Sequence, residues 1–297
     1  MFNLISGTGI EAGRALASHP GVDMVSFTGS TVVGREIHSL SSSVSGGGGG
    51  GHIKRFRSEL GGKSACVILP DATECQIRAM CSDVLENSGQ SCTALSRLIA
   101  PRDRYGEIID LANDVFESVR VVEATDASAK RGDMGPLVSQ GQLDSVREYM
   151  RRGLEVDGAR LITGGLEFPP DVPRSGYFVR PTLFADVTND MIIAREEIFG
   201  PVLGVIPYDS EEDAIDITND TPYGLSNAVI GRDLDHALRV ARRLRSGEVK
   251  VNTRVGHAAA PFGGYKSSGD GREFGRWGLE EFLQVKAMHV PPGSTVR

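Results

Sequence analysis

No window of the 297-residue chain approaches the ~18 consecutive apolar residues of a membrane-spanning helix, so no such helix is expected. Positive charge is not in excess either. The 32 Lys and Arg face 39 Asp and Glu, for a formal net charge of -7, which argues against a broad nucleic-acid-binding face. Cysteine is scarce: Cys66, Cys75, Cys81 and Cys92 contain no C-x-x-C pair, and four in a chain of this length do not make a disulfide framework. The six histidines include no His-x-x-x-His pair, so no metal site is expected. Residues 1–7 lack the basic flank, apolar stretch and cleavage site of a signal peptide, and the expected location is the cytoplasm. With 40% hydrophobic and 24% charged residues, the composition excludes a disordered or collagen-like chain and permits about two domains.

What is present is an alternation of short apolar runs with amphipathic stretches. Strands are expected at 23–27, 53–56, 65–69, 96–100, 160–162, 182–184, 202–206, 228–230 and 249–251. Helices are expected from Thr31 to about Leu40 and at 73–86, 104–121, 139–156, 211–218 and 233–244. That order predicts α/β layers with a mostly parallel sheet. Six glycines at 46–51 follow a Ser-rich stretch and read as a flexible surface linker, since such a tract cannot pack.

Six motifs could carry chemistry. Gly7-Thr8-Gly9-Ile10-Glu11-Ala12-Gly13 has the spacing G-x-G-x-x-x-G, one residue longer than the dinucleotide fingerprint, with no usable strand before it. It reads equally as a Gly-rich turn before a helix. Phe27-Thr28-Gly29-Ser30 leads a strand into a helix, either as a phosphate-binding helix start or as a plain N-cap. Ser58-Glu59-Leu60-Gly61-Gly62-Lys63-Ser64 lacks the leading glycine of a phosphate loop. Its Glu59 is a candidate general base, or a surface carboxylate in a turn. Asn87-Ser88-Gly89-Gln90-Ser91-Cys92-Thr93 sets a thiol in a small polar loop expected to expose it among backbone donors. A thiolate there could attack a carbonyl, although a lone loop cysteine is usually inert. Cys66, Cys75 and Cys81 read instead as small buried hydrophobes. Arg195 to Pro201 and Pro261 to Gly269 are loops dense in Gly, Pro and aromatics, whose chemistry spacing does not reveal.

Taken together, these motifs are far more specific than any one of them. The chain resembles the aldehyde dehydrogenase superfamily of NAD(P)-dependent enzymes through Phe27 to Ser30, Glu59 to Ser64, Gly89 to Cys92, Glu196 to Pro201 and Pro261 to Lys266, in the family's order. Glu59 and Cys92 lie 33 positions apart, close to the family's spacing. The resemblance runs from Phe2 to about Val290 and implies an α/β fold. Residues 1–58 would form a truncated Rossmann-like dinucleotide-binding domain with the Gly-rich insertion at 46–51. Residues 59–266 would form a parallel-sheet catalytic domain, and 267–297 a C-terminal segment whose strand at 282–288 joins subunits into a homo-oligomer.

The resemblance also implies site roles. Cys92 would be the nucleophile and Glu59 the base that activates the deacylating water. Phe27, Thr28, Gly29, Ser30 and Val33 would lie near the nicotinamide and pyrophosphate, with Leu60 and Gly61 at the carboxamide. Glu197 and Phe199 would hold the nicotinamide ribose and ring, and Gly9 and Gly13 would lie on the adenosine side. The implied cofactor is NAD, with NADP not distinguished, and the implied substrate a small aldehyde oxidised to a carboxylate. The chain departs from the family in starting inside the cofactor domain, without the region expected to supply an oxyanion-hole Asn and a ribose-binding Lys. Two alternatives follow: a non-catalytic remnant that binds another subunit, or cofactor-free ester hydrolysis by Cys92 and Glu59. A low-pKa Cys92 that labels faster than the other three thiols is the expectation that separates enzyme from remnant.

Overall fold

The computed structural model describes residues 2–42, 53–123, 125–126 and 128–293; the Gly-rich tract at 46–51 lies outside them. After a turn of π-helix at Gly9–Gly13 come α1 (Arg14–Ser18), β1 (Met24–Thr28), α2 (Thr31–Ser42) and β2 (Arg55–Glu59). Then follow β3 (Ser64–Ile68), α3 (Glu74–Cys81), β4 (Leu95–Pro101), α4 (Tyr105–Ser118), α5 (Gln140–Glu155), β5 (Arg160–Thr163) and β6 (Thr182–Ala185). The rest comprises α6 (Ile192–Arg195), β7 (Val202–Tyr208), α7 (Glu211–Asn219), β8 (Ser226–Ile230), α8 (Leu234–Ala241), β9 (Glu248–Val251), β10 (Gly269–Asp270) and α9 (Gly275–Glu280).

Two sheets result, one of seven strands in the order β5-β6-β7-β4-β3-β8-β9 and one of three in the order β1-β2-β10. The expected α/β class and parallel pairing hold, apart from two antiparallel pairs, β5 with β6 and β10 with β2. The central strands are continuous apolar runs because both faces of their sheet are covered. Along β3, Ala65 and Val67 join the core formed with α5, α7 and α8, while Cys66 and Ile68 join the core formed with α3 and α4. Burying a side chain such as Ile68 contributes roughly 2 kcal/mol.

Several expected boundaries move. The strand expected at 53–56 runs instead from Arg55 to Glu59, so Glu59 ends a strand of the small sheet and the division expected after residue 58 cuts through β2. The helix expected over 73–86 stops at Cys81. A tight segment, Asp83–Gly89, takes the place of its last turns, in which Glu86 leaves the helical region (ψ 137) and Asn87, Ser88 and Gly89 take left-handed conformations (φ 51, 58 and 72). Cys75 is exposed on α3, against the expectation of burial, because it lies on the helix face opposite Ile77 and Cys81. Residues 283–290 form no strand within the chain and leave Val285 fully exposed, with Phe282, Leu283 and Met288 also exposed.

Candidate active site

The site lies where the carboxyl ends of the small sheet meet the amino ends of the large one. Glu59 closes β2, and the chain then turns through Leu60-Gly61-Gly62-Lys63 into β3. Cys92 precedes β4, and Glu197 to Phe199 precede β7. The amino ends of three adjacent strands of the large sheet therefore face the ends of β1 and β2.

Two glycines make the approach possible. A Cβ on Gly62 would sit 2.2 Å from the Cys92 carbonyl oxygen, so only glycine lets the turn after Glu59 touch the Cys92 loop. A Cβ on Gly89 would sit 2.2 Å from the Gly200 carbonyl, and its φ of +72 also favours glycine, which seats the Cys92 loop on the Phe199-Gly200-Pro201 turn. The loop is further tied by Asn87 Nδ2 donating to the Gln90 carbonyl (2.9 Å) and Leu95 N–H donating to Asp83 Oδ2 (2.9 Å).

A cavity of about 610 Å³ opens here, lined by Thr28, Gly29, Ser30, Glu59, Leu60, Gly61, Cys92, Glu197 and Phe199. Nine of the thirteen residues singled out in the sequence thus share one wall system. Gly9, Gly13, Phe27 and Val33 do not line it. Gly9 and Gly13 belong to the exposed N-terminal turn, Phe27 packs its ring against Gly29, and Val33 is exposed on α2. Ser30 Oγ accepts from Val33 N–H (3.3 Å), so at α2 the N-cap reading holds.

The charges of the cavity depend on burial. Glu59 is 6% exposed, its Oε2 has no partner, and burial together with Glu273 pushes its carboxyl up to about 8. Glu197 accepts from Gly62 N–H at 3.1 Å, yet burial still raises it, against the pull of Lys63. Lys63 is 2% exposed with an unpartnered Nζ, and burial lowers it to about 7. The Cys92 thiol is raised above its ordinary value by burial first and by Glu197 second. The expectation of an exposed, acidic thiol is not met, because half-burial beside carboxylates disfavours the thiolate, and fast labelling of Cys92 therefore no longer separates an enzyme from a remnant. Iodoacetamide should accordingly label exposed Cys75 before Cys92 at pH 7, and Cys92 labelling should climb as pH rises past 9. Peptide mapping of the alkylated chain measures both, and faster labelling of Cys92 at pH 7 would contradict the raised thiol.

Residues that carried no sequence signal complete the site. Gln142, on α5, donates through Nε2 to the carbonyls of Ile198 (3.1 Å) and Phe199 (2.9 Å), which holds Phe199 at φ 54. Tyr149, one turn and more further along α5, donates to Glu196 Oε2 (2.7 Å), leaving the adjacent Glu197 to face Gly62. Arg97, 1% exposed, donates to the carbonyls of Lys63, Ile217 and Thr218 and so pins the turn after Glu59 to α7. Among the described residues, no cluster of three or more His, Cys, Asp or Glu could hold a metal, and no helix is long and apolar enough to cross a membrane.

A thiol and a carboxylate facing one cavity, with glycine turns and a second, half-buried carboxylate beside them, suit acyl chemistry on a carbonyl next to a hydroxyl-bearing cofactor. Comparisons with known proteins agree with that arrangement. The family model for the aldehyde dehydrogenase family matches residues 1–288. A 3-succinoylsemialdehyde-pyridine dehydrogenase from a Pseudomonas species is 43% identical over 99% of this chain and 59% of its own length. The crystal structure of a Mycobacterium tuberculosis aldehyde dehydrogenase complexed with NAD+ superposes with a TM-score of 0.89 at 42% identity, over 96% of this chain and 56% of that one. The structure of Pseudomonas syringae aldehyde dehydrogenase C, a cysteine-to-alanine mutant complexed with NAD+ and octanal, gives a TM-score of 0.88 at 40% identity, over 97% of this chain and 57% of that one. The chain thus spans less than two thirds of the length of these relatives. With the motifs assembled around one cavity and the family match running nearly end to end, the chain belongs to the aldehyde dehydrogenase family.

Proposed function

We propose that this chain oxidises an aldehyde to a carboxylate with NAD+, through a thioester on Cys92. The observation that carries the reading is the shared cavity of Cys92, Glu59 and Glu197. The cavity suits the nicotinamide half of a dinucleotide. Gly61 has no Cβ where one would sit 2.2 Å from Glu197 Oε2, and the half-buried Glu197 carboxylate would accept from the ribose hydroxyls. Leu60 and Gly61 would offer backbone groups to the carboxamide, Phe199 would pack against the ring, and Thr28, Gly29 and Ser30 would lie toward the phosphates. NAD+, when bound, supplies the acceptor for hydride.

The protein's own groups do the rest. Cys92 Sγ, once deprotonated, adds to the aldehyde carbon to give a thiohemiacetal, and loss of hydride leaves a thioester. Glu59, as carboxylate, takes a proton from water while that water attacks the thioester. Collapse releases the carboxylic acid and returns the Cys92 thiolate.

The octanal bound to the Pseudomonas syringae relative suggests a medium-chain aliphatic aldehyde as the first substrate to try. NADH formation from octanal and NAD+ by the purified chain, followed by absorbance, tests the reading. The expected result is turnover dependent on both compounds. A folded chain that forms no NADH would overturn it and favour the alternative, a subunit-binding role served by the exposed apolar residues Phe282, Leu283, Val285 and Met288.

A further inference from the structure

The Pro261 to Gly269 loop is the motif whose chemistry spacing left undefined, and its Ser268 has no solvent exposure. The Ser268 hydroxyl donates to the Gly61 carbonyl (2.6 Å) and accepts from Gly224 N–H (3.0 Å). Its own carbonyl accepts from Leu60 N–H (2.8 Å). Leu60 and Gly61 directly follow Glu59 on the small sheet, whereas Gly224 leads into β8 of the large sheet.

The flanking residues make the same bridge. Toward the large sheet, Ser267 N–H donates to the Pro222 carbonyl (3.0 Å) and Tyr265 N–H to the Gly224 carbonyl (2.8 Å). Lys266 Nζ donates to the carbonyls of Asn219 (2.6 Å) and Thr221 (3.1 Å). Toward the small sheet, Gly269 pairs with Glu59 itself, at a φ of +135 and with so little room that a Cβ would sit 2.0 Å from the Ser58 carbonyl oxygen.

We propose that Ser268 is the positioning residue that holds Glu59 in reach of the acyl group on Cys92. It ties the strand end carrying the base to the sheet carrying the nucleophile. This rests on the reading of Glu59 as the deacylating base. Removing the hydroxyl leaves the Gly61 carbonyl without its donor and the buried Gly224 N–H unpaired, so the turn after Glu59 loses its registration on the large sheet. Among the described residues Ser268 makes no hydrogen bond to the Cys92 loop, so the water-activating step should suffer more than attack by the thiolate, since a base misplaced by about 1 Å loses roughly 10²-fold in rate.

The test needs no cofactor. With p-nitrophenyl acetate, Cys92 Sγ displaces nitrophenolate and keeps the acetyl group, and water activated by Glu59 then releases acetate. In the full chain bearing Ser268→Ala, the nitrophenolate burst should change far less than steady turnover, which should fall roughly 10- to 10²-fold, and acetyl-Cys92 should accumulate on intact-mass analysis. Ser268→Cys, of similar size with a weak S–H donor, should recover part of the loss, and it decides the matter by the same split if the alanine variant does not fold. Equal loss of burst and turnover, or unchanged turnover, would overturn the role of Ser268 alone. A parent chain whose Cys92 never acetylates would overturn the reading of the site, and this role with it.

Discussion

Cys92→Ala is expected to lower aldehyde-dependent NADH formation by roughly 10⁴-fold or more, because covalent catalysis fails outright without its nucleophile. Ser91 also lines the cavity, but its hydroxyl is within 3.1 Å of Thr93 Oγ1 and has no base beside it to activate it. Cys92 is only half-buried, so its truncation should change stability by less than about 1 kcal/mol. Absorbance of NADH together with a thermal melt separates the two effects. An alanine variant that melts like the parent and keeps a tenth of its activity would remove Cys92 from the mechanism.

Glu59→Gln should show a different failure. General-base loss costs about 10²–10⁴-fold in the deacylation step, so a single burst of NADH per chain should precede a stall with acyl-Cys92 on intact-mass analysis. The pH dependence follows from the raised carboxyl. With a value of about 8, only about a tenth of Glu59 is ionised at pH 7, so parent deacylation should rise with pH and level off above 8. The Gln variant should be flat over that range.

Stability should move the opposite way. The native carboxyl holds its proton up to about 8, whereas the unfolded chain releases it near 4.5. Across that window the native state binds more protons than the unfolded state, so this group makes the fold lose stability as pH rises. Glu59→Gln, free of that cost, should melt higher than the parent at pH 8, with the gain shrinking toward pH 5. A variant that melts lower at pH 8 would mean that the buried carboxylate is stabilised by contacts in the native cavity. The Gly264 backbone and the Arg272 guanidinium do favour the carboxylate, but burial and Glu273 outweigh them and Oε2 has no partner. A destabilised carboxylate at a catalytic position is a common trade of stability for reactivity.

The Cys92 setting shows how far local pattern reaches. The loop and its small polar residues were legible, but the state of the thiol was not. It depends on Glu197, 105 positions away along the chain, and on burial by three strand ends that meet only in the fold. The turn that follows α3 was not legible for a related reason. Asn87 and Ser88 carry no glycine signal, and their left-handed conformations hold because Asn87 bonds Gln90 and Ser88 Oγ bonds the Gly135 carbonyl. Gln142 and Arg97 were invisible for the same cause, and Ser268 lay in a motif whose role spacing did not reveal, since each acts by a hydrogen bond to a distant carbonyl.

By itself, then, the sequence determined the α/β class, the order of strands and helices, and the identities of Cys92 and Glu59 as residues worth attention, with Glu197 added only by the family resemblance. Those follow from local quantities: apolar runs long enough to be covered on both faces, helical periodicity, and short motifs in a set order. Only the tertiary structure decided which of the singled-out residues share a cavity, that Gly9, Gly13, Phe27 and Val33 stand outside it, and that the cavity raises both the thiol and the base. The physical reason is that burial and charge proximity are properties of the assembled surfaces. A carboxylate titrates according to what surrounds it in space, and its neighbours in the chain supply only part of that surrounding.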